Sequence, residues 1–176
     1  MSAEDWVRAA LRALGRDGVA GVRVEVLARE LGVTKGSYYH HFRNRRGVLL
    51  AALETWEQVA TEQVIDQVEA QGDLRTRTAE LLRVVFADGG EHDAIESGIR
   101  AWASTDEGAG RVVARVDERR IGYVASLLEA QGVAEPRLRS ELVYRALIGE
   151  FVWRTYGGPA LQPEALDLLL TMVLDS

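Results

Sequence analysis

The chain has 176 residues, 47% of them hydrophobic and 27% charged, with no cysteine and a formal net charge of −6. So much apolar content supports a packed core and excludes a disordered chain, and the lack of cysteine excludes disulfides and thiolate metal sites. The charge is uneven: residues 1–50 hold nine Lys and Arg against five Asp and Glu, a balance of +4, which leaves −10 for the rest.

A basic head on an acidic body turns the head towards phosphates and repels the body from them. No apolar run reaches membrane-spanning length, and the charged start MSAEDWVRAALRA is unlike a signal peptide, so a cytoplasmic protein is expected. Every long segment has helical period and none alternates as a strand, which predicts an all-α fold of about nine helices. Ser2 with Asp5 has the spacing of a capping box, opening a first helix striped by Trp6, Ala10, Leu11 and Leu14. Gly15, Gly18 and Gly21 loosen the chain behind it.

Residues 24–50, VEVLARELGVTKGSYYHHFRNRRGVLL, carry most of the functional information. Val24, Leu27, Ala28 and Leu31 make one apolar face of a short helix, and Gly32 stands where a left-handed residue ends it. Val33, the lone hydrophobe of the turn, is expected to plug into the core. Thr34 is placed as an N-cap. The helix that follows, Lys35 to about His41, is polar and aromatic with little to bury, which fits a helix presented to the major groove of DNA. Lys35 can donate to guanine O6 or N7, Ser37 can meet base edges or phosphate, and Gly36 allows close backbone approach. Tyr38 stands i, i+4 from Phe42 and is open to an inward or an outward role. Phe42 reads as core.

This stretch resembles the DNA-binding domain of TetR-family transcriptional regulators. The resemblance rests on Leu27-Ala28-Arg29-Glu30-Leu31-Gly32-Val33, on Tyr39-His40-His41-Phe42, and on the basic run Arg43-Asn44-Arg45-Arg46 before a long helix; it covers roughly residues 5–53. It implies that Tyr39, His41 and Arg45 contact the sugar-phosphate backbone, with Thr34 and Arg23 as further phosphate contacts, and that His40 reads a base edge or a thymine methyl. Where the family usually has Thr or Ser capping the first helix of the motif, this chain has Val22-Arg23-Val24.

Asn44 can cap a fourth helix from Arg45 to about Ala70, with Leu49, Ala52, Leu53, Trp56, Val59, Ala60 and Ile65 spaced to bury one side. Gln71-Gly72-Asp73 breaks it, and Leu81, Leu82, Val85 and Phe86 mark a fifth. After Gly89-Gly90, Asp93 with Glu96 and then Ser104 with Glu107 have capping-box spacing and predict the starts of the sixth and seventh helices. The seventh ends at Gly132, Pro136 opens an eighth that ends at Gly157-Gly158-Pro159, and Pro163 opens a ninth.

The last two helices are expected to dimerise. The eighth mixes small residues with aromatics in Leu142, Ala146, Gly149, Val152, Trp153 and Tyr156, which suits close helix approach and interface anchoring. The ninth, with Leu166, Leu169, Leu170 and Val173, is apolar around more than one face. The family's last two helices form a four-helix bundle across a two-fold axis, and this tail is similar. The alternative is that both helices only close the monomer core.

The resemblance implies a helix-turn-helix DNA-binding domain over residues 1–45 and a helical ligand-binding and dimerisation domain over residues 46–176. It implies a repressor that binds a palindromic operator in double-stranded DNA as a homodimer, and a small-molecule effector, of chemistry unknown, that releases it. Candidate pocket residues are Trp56, Phe86, Glu96, Arg100, Trp102 and Tyr123, each equally readable as core; Glu96 and Arg100 also stand i, i+4 as an ion pair. His40-His41 point about 100° apart on a helix and make a poor metal pair. His92 fails as a partner of Glu96 if Asp93 is the helix cap, so no metal site is expected. No phosphate loop or nucleophile motif is present, so neither an enzyme nor a cofactor is expected. The competing readings are a helical protein-interaction module and a regulator that needs no ligand.

Overall fold

The computed structural model describes every residue except Gln71, Asp88 and Ser176. In chain order the helices are α1 (Ala3–Gly21), α2 (Val24–Glu30), α3 (Lys35–Tyr39), α4 (Arg45–Glu57), a π-turn (Gln58–Glu62), α5 (Gln63–Glu69), α6 (Leu74–Phe86), α7 (Glu91–Ala103), α8 (Glu107–Ala130), α9 (Pro136–Thr155) and α10 (Pro163–Leu174). The described residues contain no strand. Because α4, the π-turn and α5 follow without a break, they make up the single long fourth helix that the spacing predicts.

Two compact units divide the chain. Met1–Val59 packs with Gly90–Val113, and Ala60–Gly89 packs with Ala114–Ser176. Packing therefore groups α4 and α7 with the motif, whereas the expected division at residue 45 follows the motif alone.

In the first unit, the capping box forms: Ser2 Oγ accepts from the Asp5 amide at 3.3 Å, and Asp5 Oδ2 accepts from the Ser2 amide at 2.7 Å. The helix it starts breaks at Gly18, whose φ of 65° suits glycine. Trp6, Ala9, Ala10, Ala13 and Leu14 form its buried face. Helix α7 lies against that helix, backbone to backbone. A Cβ on Gly15 would stand 2.9 Å from the Ile95 nitrogen, and one on Gly98 2.8 Å from the Leu14 carbonyl carbon.

Two expected caps are replaced. Helix α7 starts at Glu91 behind Gly90, whose φ of 46° turns the chain early. Asp93 and Glu96 therefore fall inside the helix as buried side chains instead of forming a box, and His92 lies in the helix as well. Helix α8 is capped by Asp106, whose Oδ1 accepts from the Ala109 amide at 2.9 Å. Ser104 instead turns its hydroxyl to the Ala101 carbonyl at 2.7 Å.

The fourth helix departs from its expected face. Val59 is 46% exposed and Ala60 half-buried, while Thr61 is buried in their place. The π-turn inserts one residue into the repeat, so the buried stripe slips by one position after Trp56.

The second unit gathers two apolar clusters. Leu82, Phe86, Leu128, Val143, Phe151 and Leu170 belong to one, and Ile65, Val68, Leu81, Tyr123 and Leu127 form the other. Asp73 opens α6 by accepting from the Arg75 and Thr76 amides at 3.0 Å each. Two arginines close helix ends. Arg154 Nη1 donates to the Phe86 and Ala87 carbonyls at 3.0 and 2.9 Å, and Arg139 Nη1 donates to those of Met172 and Asp175 at 2.8 and 2.7 Å.

Candidate nucleic-acid interface

The motif folds as helix, tight turn, helix. Gly32 takes a φ of 67° after α2, and the Val33 amide closes the turn by donating to the Ala28 carbonyl at 2.9 Å. Val33 itself is half-buried. Neither short helix has a side-chain cap: Arg23 and Thr34 occupy the N-cap positions without such a bond. Thr34 therefore does not cap as expected, and its exposed hydroxyl is left for other partners.

Helix α3 is five residues long, shorter than expected, and Tyr38 anchors it. The Tyr38 ring is buried, packs edge-on to Trp6 at 5.1 Å and tilts onto Phe42 at 5.5 Å. Its hydroxyl donates to the Asn44 carbonyl at 2.8 Å. Burial pushes the Tyr38 hydroxyl above the usual phenol range. The inward role of Tyr38 is thus settled, and Phe42 is only half-buried.

With Tyr38 inside, the opposite side of the helix faces out. Thr34, Lys35, Gly36, Tyr39, His40 and His41 are exposed and Ser37 is half-buried. Tyr39 is 59% exposed, a large aromatic left in water. Two of the set have partners within the chain. Lys35 Nζ sits 2.9 Å from Glu25 Oε1, and that contact lowers the Glu25 carboxyl below its ordinary range. His41 Nε2 lies 3.1 Å from the Met1 carbonyl. Glu25 was not singled out in the sequence, because ten residues separate it from Lys35 and no periodicity joins them.

Arg45 has partners within the chain. Its Nε donates to the Val22 carbonyl at 2.5 Å and its Nη2 to the Val19 carbonyl. The guanidinium therefore ties the start of α4 to the end of α1, where the Val19 carbonyl also accepts from the Val22 amide at 3.3 Å. Arg46 faces Asp106 at 3.7 Å. Arg23 is exposed and, with Arg16, Arg29 and Glu30, lines an open depression beside α2.

The expected pocket residues divide between the units. In the first, Trp56 Nε1 donates to Glu96 Oε2 at 2.9 Å and Arg100 Nε donates to Glu96 Oε1 at 2.9 Å, joining α4 to α7 through a fully buried carboxylate. Trp102 is buried in the same unit. In the second, Phe86 belongs to one apolar cluster and Tyr123 to the other. The Tyr123 hydroxyl is buried with no hydrogen-bond partner, and burial raises its pKa.

Of the expected dimerisation residues, Leu142, Ala146, Gly149, Val152 and Trp153 lie exposed on α9, and Tyr156 lies exposed at its C-cap. Leu142 is 68% and Tyr156 85% exposed. On α10, Leu170 and Val173 are buried in the unit's own core, and Leu166 and Leu169 are half-buried against it. Leu168 and Met172 are the large apolar side chains that α10 exposes. Among the described residues no three His, Asp or Glu side chains are grouped to hold a metal, and no helix is long and apolar enough to cross a membrane.

Residues 7–52 match the family model for bacterial regulatory proteins of the tetR family. The transcriptional regulator AcuR of Cereibacter sphaeroides is 32% identical over 71 residues, a stretch that covers 40% of this chain and 32% of AcuR. The chain thus matches about a third of that relative's length. Among solved structures, a transcriptional regulator from Rhodococcus sp. Rha1 superposes with a TM-score of 0.78 at 19% identity, over 99% of this chain and 94% of that one. The fatty acid degradation regulator FadR from Bacillus halodurans superposes with a TM-score of 0.77 at 16% identity, over 99% and 95%. At those identities the structures establish a shared fold, and over residues 7–52 the helix-turn-helix, with its buried Tyr38 and exposed Lys35, Tyr39 and His40, is similar to the DNA-binding segment of bacterial regulatory proteins of the tetR family.

Proposed function

We propose that the protein is a cytoplasmic repressor that binds a palindromic operator in double-stranded DNA as a homodimer. The carrying observation is the set of exposed residues Thr34, Lys35, Gly36, Tyr39, His40 and His41, with half-buried Ser37, on and around a short helix anchored by the buried Tyr38. Lys35 supplies donors to guanine, Tyr39 and His41 meet the backbone, and His40 reads a base edge. Arg23 and Thr34 add phosphate contacts. Lys35 must leave Glu25 to do so, an exposed pair that costs little to break.

The apolar row on α9 supports pairing with a second copy through the last two helices, and two heads on a two-fold axis would read half-sites about 34–36 Å apart. Residues 1–45 would serve DNA and residues 46–176 pairing and effector binding. A buried, unbonded Tyr123 hydroxyl in an apolar cluster supports effector binding by a small molecule with an apolar body and a polar group. Such a molecule would lower operator affinity by favouring the state that fits the palindrome less well.

Selection of duplexes from a random pool by the purified protein at near-physiological salt tests this reading. An enriched palindrome supports it. Weak binding that salt erases, with nothing enriched, overturns it in favour of a protein-interaction module.

A further inference from the structure

The long fourth helix changes register partway, and one arginine of α8 holds the place. Its buried positions run Leu49, Ala52, Leu53 and Trp56, then Thr61, Ile65 and Val68. Apart from the adjacent pair Ala52 and Leu53, successive positions are three or four residues apart, as on one helix face, except Trp56 to Thr61, which is five. The π-turn Gln58–Glu62 absorbs the extra residue. Such turns are rare, and departures from the regular ladder have causes such as an inserted side chain.

Here the side chain is Arg120. Its Nη2 donates to the Ala60 carbonyl at 3.1 Å and its Nε to Thr61 Oγ1 at 3.2 Å, so one planar fork holds two successive residues of the turn. Arg119 adds Glu62, with Nε 3.4 Å from Oε1. On its other side Arg120 Nη1 donates to the Tyr144 hydroxyl of α9 at 3.4 Å, and that hydroxyl donates to Asp117 Oδ1 at 2.6 Å. The carboxylate, phenol and guanidinium form one chain from α9 to the π-turn, and α9 is the helix whose other face is open.

We propose that Arg120 is a register latch: it stabilises the five-residue step in the fourth helix and couples that step to α9 through Tyr144. A displacement of α8 or α9 withdraws the fork and frees the extra residue to move along the helix, which changes the side chains that the preceding turns present. That this alters operator affinity rests on the proposed DNA-binding function; the latch itself does not.

The test compares amide hydrogen exchange over residues 58–65 in the wild type, Arg120→Leu, Arg120→Lys and a chain lacking Val59. In Arg120→Leu, exchange there rises about tenfold or more, the loss expected of charge-assisted hydrogen bonds, while residues 48–56 are unchanged. Arg120→Lys restores charge but not the fork, so exchange stays raised; it also carries the test if the leucine variant does not fold. Removing Val59 turns the five-residue step into four, so that chain folds, its exchange falls to the level of the neighbouring turns, and Arg120→Leu has no further effect in it. Unchanged exchange in Arg120→Leu, wild-type behaviour in Arg120→Lys, or unfolding of the shortened chain each overturns the latch. Operator affinity, measured alongside, falls about tenfold in Arg120→Leu if the step sets DNA binding, the same scale as the loss of such a bond. A wild type that enriches no duplex refutes the DNA reading and leaves the exchange result to decide the latch.

Discussion

Gly98 of α7 crosses α1 at Leu14 so closely that a methyl group on Gly98 would overlap the Leu14 carbonyl oxygen. The obstacle is backbone, which cannot swing aside as a side chain can. Alanine at position 98 would be welcome on helix propensity by about 1 kcal/mol, but overpacking costs about 1–3 kcal/mol. Gly98→Ala is therefore expected to lower the denaturation midpoint. Gly122→Ala, in α8 with nothing within 4 Å, supplies the control. It should raise stability by up to about 1 kcal/mol. Urea unfolding of both variants checks the pair.

The buried Glu96 makes a second local prediction. Its two oxygens are held by Trp56 from α4 and Arg100 from its own helix. Trp56→Phe keeps an aromatic ring but removes the indole donor, leaving a buried carboxylate oxygen without it, a loss of about 1–3 kcal/mol. If the variant unfolds at the wild-type urea concentration, the bond contributes nothing.

How much of this was legible in the sequence depended on the range of the interaction. Ser2–Asp5, Asn44, Gly32, Gly132 and Pro163 acted through residues within a turn of themselves, and the elements they mark are where the spacing puts them. Asp93–Glu96 had the same local spacing but lost to Gly90, whose positive φ started the helix earlier. The outward face of α3 followed from composition. The engagement of Arg45 with Val19 and Val22 did not, because backbone carbonyls leave no mark in a side-chain pattern. The slip at Thr61 was hidden for a related reason: its fixing residue, Arg120, lies 59 positions away.

Acid should weaken α1 through Asp5. Hydrogen bonds from the Ser2 amide and hydroxyl, then Arg8, lower its pKa from 3.8 to about 2. A carboxylate whose pKa is depressed on folding adds stability above its unfolded value and loses it as pH falls through the folded one. The contribution is thus complete above pH 3.8 and disappears towards pH 2. Other depressed carboxylates titrate in the same direction, so Asp5→Asn is the comparison. Between pH 5 and pH 2.5 the urea midpoint of the wild type should fall further than that of the variant, and parallel falls would remove Asp5 from the account.

Arg45 and Arg43 should separate on a salt titration once an operator is known. A phosphate contact, when removed, weakens binding and reduces the slope of log K against log salt by about 1. Arg45 commits its Nε and Nη2 to the Val22 and Val19 carbonyls. Arg45→Ala is expected to weaken binding by loosening the head while leaving the slope unchanged, whereas the exposed Arg43→Ala should flatten it. A slope reduced by Arg45→Ala would return that residue to the phosphates.

The open face of α9 sets the last expectation. Leu138, Leu142, Val152 and Trp153 are exposed apolar side chains of α9, Tyr156 is exposed at its C-cap, and Leu168 and Met172 are exposed on α10. A row of this kind is poor solvent-facing surface, and its aromatics have the character of interface anchors. Trp153→Glu places a charge in its midst. Sedimentation should then find a monomer where the wild type is a dimer, with the helical circular dichroism retained. Leu142→Glu, three turns away on the same helix, should act alike. Both variants staying dimeric would move the contact off α9. Both wild type and variants running as monomers would leave a palindrome without a dimer to read it.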